Sequence, residues 1–72
     1  MTKKKQQAKL ALAAAAKELA GEIWSGKWDH NPETHSAPMG KQVVLARELE
    51  RRCPGHTLEV YQAALAEEWY KF

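Results

Sequence analysis

The sequence has a single cysteine, Cys53, so no disulfide can form within the chain. A lone thiol is typical of proteins in reducing compartments, and we therefore expect a cytoplasmic protein. With 72 residues the chain makes one domain at most. A domain of this size is marginally stable without a disulfide, a metal or a partner chain. Its stability must come from close helix packing, a metal ion or self-association.

Large apolar side chains are also scarce. Twelve alanines stand against seven leucines, three valines and one isoleucine, and alanine favours helix while burying little area. No apolar run approaches the ~18 residues that span a bilayer. The stretch "KKKQQAKLALAAAA" has the outline of a secretory signal, but its apolar run ends at Lys17 and the helical pattern continues. We expect no cleaved signal and no membrane partner.

Helical periodicity is what the sequence does contain. The first predicted helix covers residues 7–25, and its apolar stripe recurs at helical spacing: Leu12, Ala16, Leu19 and Ile23. Gly26 can take the left-handed conformation that ends such a helix. Trp24 is expected to face the core, since large aromatic side chains are mostly buried. Residues 1–6 are expected to be a flexible basic terminus.

Two further helices are predicted. The second covers residues 36–53, with Ser36 as N-cap and Pro38 in the first turn. Its apolar stripe consists of Met39, Val43, Ala46, Leu49 and Cys53. The third covers residues 57–71, with Thr57 as N-cap. Its stripe consists of Leu58, Tyr61, Leu65, Trp69 and Phe72.

These three segments, with no convincing strand, predict an all-α fold. The expected architecture is one small three-helix domain over residues 7–72, made of a long alanine-rich helix and an αα-hairpin. Homodimerisation would complete the thin core.

Aromatic residues suggest a protein-binding function, since they often anchor interfaces. The candidate contacts are Trp28, Trp69, Tyr70 and Phe72. Trp28 lies beyond the predicted end of the first helix, and Tyr70 lies off the apolar stripe of the third, so these two are the better candidates for exposed anchors. The alternative is that the tryptophans fill the core. Our leading prediction is a small non-enzymatic regulator or adaptor that binds another protein.

Basic residues support an alternative function, accessory nucleic-acid binding. The net charge of +2 is too small to argue for it alone. The candidate phosphate contacts are Lys3, Lys4, Lys5, Lys9, Arg47, Arg51 and Arg52. The third helix carries Glu59, Glu67 and Glu68 against one lysine, which disfavours it as a recognition helix. A terminal lysine run is more often a solubilising tail.

Four potential metal ligands lie in the two predicted loops, residues 25–35 and 53–56, the second of which begins at the last residue of the second predicted helix. They make a zinc-stapled mini-domain the second alternative. They are His30, His35, Cys53 and His56. Zinc accepts mixed imidazole and thiolate ligands, but C-x2-H is not a standard half of a zinc finger. The plainer interpretation is that these are exposed loop histidines and a small half-buried thiol. We expect no other cofactor.

Catalytic motifs are missing from the sequence. It contains no G-x-S-x-G, no glycine-rich phosphate loop and no H-E-x-x-H. A chain this short also has little room for a substrate pocket. We therefore expect that the protein is not an enzyme.

Overall fold

The computed structural model describes the backbone of residues 2–71 and the side chains of residues 10–71, and over this range the chain is all-helical. The elements in chain order are α1 (Thr2–Trp24), α2 (Glu33–Ser36), a 3-10 turn (Met39–Lys41), α3 (Val44–Arg52) and α4 (Leu58–Trp69). The predicted all-α fold is confirmed. Helix α1 begins at Thr2, five residues before the predicted start at residue 7, so the backbone of residues 2–6 is helical where a separate terminus was expected. Predictions that concern Met1, Phe72 or the side chains of residues 2–9 lie outside the described residues.

Helix α1 buries the predicted stripe, and the predicted glycine follows its last residue, Trp24, by two positions. Leu12, Ala16, Leu19 and Ile23 are all buried, together with Ala20. Gly26 takes a φ of +90°. Its N–H donates to the Ile23 carbonyl (3.1 Å), and the Lys27 N–H donates to the Glu22 carbonyl (3.0 Å). These two bonds form a Schellman motif, which satisfies carbonyls at the end of α1.

The second predicted helix is wrong over its first eight residues. Ser36 is the last residue of α2, and its hydroxyl donates to the Pro32 carbonyl (3.0 Å) instead of capping a new helix. Ala37 is extended, with φ −131° and ψ 141°, because a residue that precedes a proline is pushed out of the helical region. Pro38 is also extended (ψ 151°), and α3 begins only at Val44.

The N-terminus of α3 is capped by a side chain from α2. The carboxylate of Glu33 accepts hydrogen bonds from the backbone N–H groups of Val43 and Val44, the latter at 3.1 Å. Gln42 adds a second set of hydrogen bonds, since its Nε2 donates to the carbonyls of Glu33 (2.6 Å) and Ala37 (2.7 Å). These bonds hold α2 against the start of α3.

The later start of α3 changes which of its side chains are inside. Leu45, Ala46 and Leu49 are buried in the core, as is Met39 from the 3-10 turn. Val43 is exposed, which contradicts its place in the predicted apolar stripe. A stripe counted from Met39 assumes one continuous helix, and the break at residues 37–43 shifts its phase.

Helix α4 is the packing centre. Thr57 caps it as predicted, with its Oγ1 accepting from the Val60 N–H (3.3 Å). Tyr61 and Leu65 are fully buried, and α4 packs against α1, α3 and the 3-10 turn. The Tyr61 hydroxyl donates to the Cys53 carbonyl (2.6 Å) and accepts from the His56 N–H (3.0 Å). These two bonds close the α3–α4 hairpin.

Within the described residues, no helix combines the length and the apolar character needed to cross a membrane.

The Glu33 cap leads to a stability prediction. We expect Glu33→Ala to lower the free energy of unfolding by about 1–2 kcal/mol, since it leaves two N–H groups at the start of α3 without their acceptor. The measurement is urea denaturation followed by circular dichroism.

The matched control is Ser36→Ala, which removes the cap that the sequence suggested. Because the Ser36 hydroxyl is exposed and bonds only to the Pro32 carbonyl, we expect a change within about 0.5 kcal/mol. A larger loss for Ser36→Ala than for Glu33→Ala would contradict the observed capping.

Candidate protein-binding surface

Two tryptophans stack where α1 and α4 end. The ring centroids of Trp24 and Trp69 are 4.6 Å apart with planes inclined by 21°. The Trp24 Nε1–H also points to the Trp69 carbonyl at 3.4 Å. Trp69 is half-buried against the core, whereas Trp24 is 54% exposed. The expectation that Trp24 faces the core is therefore wrong.

The position of Trp24 is explained by its contact with Trp69 rather than by helix geometry. Trp24 follows the fully buried Ala20 by four residues, and residues at this spacing lie on the same face of a helix. The Trp24 indole nevertheless lies against Trp69 at the end of α4, where it stays 54% exposed.

Tyr70 follows Trp69 in the chain and is 75% exposed, which agrees with its predicted position off the buried stripe of α4. We call Trp24, Trp69 and Tyr70 the aromatic surface. The predicted contact Phe72 lies outside the described residues. Sequence reasoning missed Trp24, because its exposure depends on the stack with Trp69, which lies 45 residues later in the chain.

Trp28 has a structural position in the first connection, by which we mean residues 25–43 between α1 and α3. It is half-buried and packs against the core. Its Nε1–H donates to Glu22 Oε1 (3.1 Å), and its ring stacks on His30 with centroids 5.9 Å apart. Its carbonyl accepts from the N–H of Asn31 (3.0 Å), a buried residue. Trp28 thus pins the connection to α1, and its predicted role in binding has no direct support from this geometry.

The arginines proposed as phosphate contacts are all paired with carboxylates. Arg52 donates to both carboxylate oxygens of Glu22 (2.9 and 3.0 Å) and to Glu48 (2.7 Å). Arg51 donates twice to Glu48 (3.0 and 2.6 Å). Arg47 lies 3.8 Å from Glu50. The side chains of Lys3, Lys4, Lys5 and Lys9 lie outside the described residues.

This network stabilises the charged forms of its carboxyl groups. Hydrogen bonds from Arg51, and then from Arg52, lower the pKa of Glu48 from 4.5 to about 2, against the opposing effect of partial burial. The hydrogen bond from Arg52 also lowers the pKa of Glu22, with a smaller contribution from Trp28. Arg52 therefore links α1 to α3, and its positive charge is balanced inside the protein.

The structure does not gather the four predicted metal ligands. His30 stacks on Trp28, and a ring nitrogen of His35 lies 3.2 Å from the Asp29 carbonyl oxygen, both in the first connection. Cys53 is half-buried after α3, and the His56 ring meets the edge of Tyr61 at 5.6 Å. Among the described side chains, no group of three or more His, Cys, Asp or Glu residues could hold a metal ion.

An open groove of about 640 Å³ lies between α1 and α4. Its apolar lining comes from small or aliphatic residues: Leu12, Ala13, Val60, Ala63 and Ala64. Polar residues complete the lining: His56, Glu67, Glu68 and Lys71. Lys71 pairs with Glu68 (2.9 Å), which is itself buried. We call this feature the α1–α4 groove.

No protein-family model matches the chain, and neither a curated protein nor a solved structure matches it. The function is therefore inferred from the side chains and surfaces described above.

The depressed pKa of Glu48 leads to a prediction about acid. The carboxyl group of an unfolded chain takes up its proton near its ordinary pKa, whereas folded Glu48 stays ionised down to a pH of about 2. Its stabilising contribution is therefore complete above pH 5 and is lost as the pH falls towards 2. We expect Glu48→Gln to be less stable than the unaltered chain at pH 6, with a difference that shrinks by pH 2.5, in urea denaturation.

The control is Glu18→Gln, which changes an exposed carboxylate on α1. Its effect on the free energy of unfolding should be small, because the side chain is exposed. A difference for Glu48→Gln that does not change with pH would contradict the assigned ion pair.

The position of Arg52 leads to a second stability prediction. We expect Arg52→Gln to lower the free energy of unfolding by about 2 kcal/mol, since the half-buried carboxylates of Glu22 and Glu48 would lose their shared charged partner. Arg47→Gln is the control, and its exposed, long ion pair should contribute less than about 0.5 kcal/mol. Equal losses in thermal or urea denaturation would show that Arg52 is not a structural link.

Proposed function

We propose that this chain is a small non-enzymatic regulator or adaptor that acts by binding another protein through the aromatic surface. One observation carries the proposal: Trp24 stacks on Trp69 while 54% exposed, and the adjacent Tyr70 is 75% exposed. Tryptophan and tyrosine are the residues most often found at the energetic centre of protein interfaces.

The geometry of the aromatic surface favours binding because part of it is already ordered. The stack on Trp69 and the contact with its carbonyl restrict the Trp24 indole. A partner would then pay less conformational entropy to immobilise this side chain. Tyr70 adds a large contact area and a hydroxyl that can hydrogen-bond at the edge of an interface.

The two alternative functions have less support. A phosphate contact through α3 would have to compete with the carboxylates that Arg47, Arg51 and Arg52 already face. A zinc site would have to bring together ligands from the two separate connections. Trp28 and Phe72 stay predicted contacts, and a cytoplasmic location stays a proposal that rests on the single thiol.

The test uses the full chain to capture proteins from nuclease-treated extract of its native host, followed by affinity measurements with the purified partner. We expect Trp24→Ser and Tyr70→Ser each to weaken binding by about tenfold or more, as is usual for aromatic residues at the centre of an interface.

Val44→Ser is the matched control, since it removes an exposed apolar side chain from α3. It should bind as the unaltered chain does. Circular dichroism identifies any variant that fails to fold. Binding that is unaffected by both aromatic variants, or that disappears with nuclease, would overturn the proposal.

A further inference from the structure

The groove lies beside an exposed apolar side chain. Leu12 and Ala13 form part of its lining, and Leu10, less than one turn earlier on α1, is 69% exposed. Residues 10 and 13 are three positions apart, and residues at this spacing are neighbours on the surface of a helix. A protruding aliphatic side chain and a concave apolar surface therefore lie side by side on the same element.

This arrangement matches what a two-fold interface requires, because each copy must offer both the contacting group and the surface that receives it. We propose that two copies of the chain form a symmetric dimer in which Leu10 of each copy inserts into the α1–α4 groove of the other. The proposal is independent of the aromatic surface, whose three residues do not line the groove.

The small size of the lining residues supports a helix as the occupant. Ala13, Ala63 and Ala64 have only a methyl group beyond the backbone, so the backbone of a second helix can approach closely. Val60 is 40% exposed at the same surface. Burying these side chains with Leu10 removes apolar area from water, which is the main driving force for association.

Charge complementarity favours a second copy over an unrelated protein. Lys3, Lys4, Lys5 and Lys9 all lie within the seven residues before Leu10. Helix α4 carries the exposed carboxylates Glu59 and Glu67. Glu67 lines the groove, where it lies 3.8 Å from Lys71. In the proposed dimer, the positive charge of the lysine-bearing segment of each copy would be attracted by the carboxylates on α4 of the other copy. The same chain thus supplies the protruding Leu10 side chain, the α1–α4 groove and charged residues of both signs.

The test is sedimentation equilibrium of the full chain over a wide concentration range. We expect a monomer–dimer equilibrium whose dissociation constant rises at least about tenfold in Leu10→Lys and in Ala63→Glu, in line with the loss of a buried leucine or the burial of a charge. Both positions are exposed in the monomer, so the variants should fold, which circular dichroism checks.

Two controls separate this interface from other surfaces. Val44→Lys places a charge on an exposed position of α3, and Tyr70→Ser alters the aromatic surface. Neither should change the dissociation constant. Raising the salt concentration, or the charge reversal Glu67→Lys, should weaken the dimer, since both reduce the attraction to the lysine segment.

A cross-linking experiment tests the pairing itself. Leu10→Cys chains and Ala63→Cys chains are mixed under mild oxidation, each carrying a different affinity tag. We expect a disulfide that joins position 10 of one copy to position 63 of the other, identified by mass spectrometry. A chain that stays monomeric at millimolar concentration, or a dimer that neither Leu10→Lys nor Ala63→Glu weakens, would overturn the proposal.

Discussion

The inner face of α4 supports every other element of the structure. Tyr61 and Leu65 have no exposed area, and α4 contacts α1, α3 and the 3-10 turn, whereas α1 and α3 touch each other much less. The phenol of Tyr61 also closes the α3–α4 hairpin through backbone groups on both sides of the turn. In a chain with so few large apolar residues, one helix face has to serve as the common partner.

Helices α1 and α3 contact each other little, and a polar link joins them. Arg52 on α3 reaches Glu22 on α1, thirty residues earlier in the chain, and also bonds to Glu48 on its own helix. The first connection is organised in a similar way, through Glu33, Gln42 and Asn31. This organisation has a cost, since Gln42 Oε1 is buried and finds no hydrogen-bond partner among the described residues.

Local chemistry made much of the fold predictable. The stripe of α1, the left-handed Gly26 and the Thr57 cap each depend on neighbouring residues, and all three are present. The Glu33 cap and the Arg52–Glu22 pair join segments that only the tertiary fold brings together. No local sequence pattern therefore predicts these contacts. The break before α3 was readable in principle, since Pro38 restricts Ala37. The sequence could identify Tyr70 as off the buried stripe, but the exposure of Trp24 depends on its partner Trp69.

Alanine explains why both candidate surfaces lie along the contact between α1 and α4. Ala16 and Ala20 are fully buried, so the two helices pack closely through small side chains over the middle of α1. Near Leu12, the small side chains of Ala13, Ala63 and Ala64 leave the space between the helices unfilled, and a groove results. At the other end of α1 the two helices meet through large side chains instead of small ones. The indoles of Trp24 and Trp69 stack there, and Trp24 stays exposed to solvent. The small number of leucine, valine and isoleucine side chains thus accounts for both the underfilled groove and the exposed aromatic stack. Each of these surfaces would bury more apolar area with a partner than the single chain can bury alone.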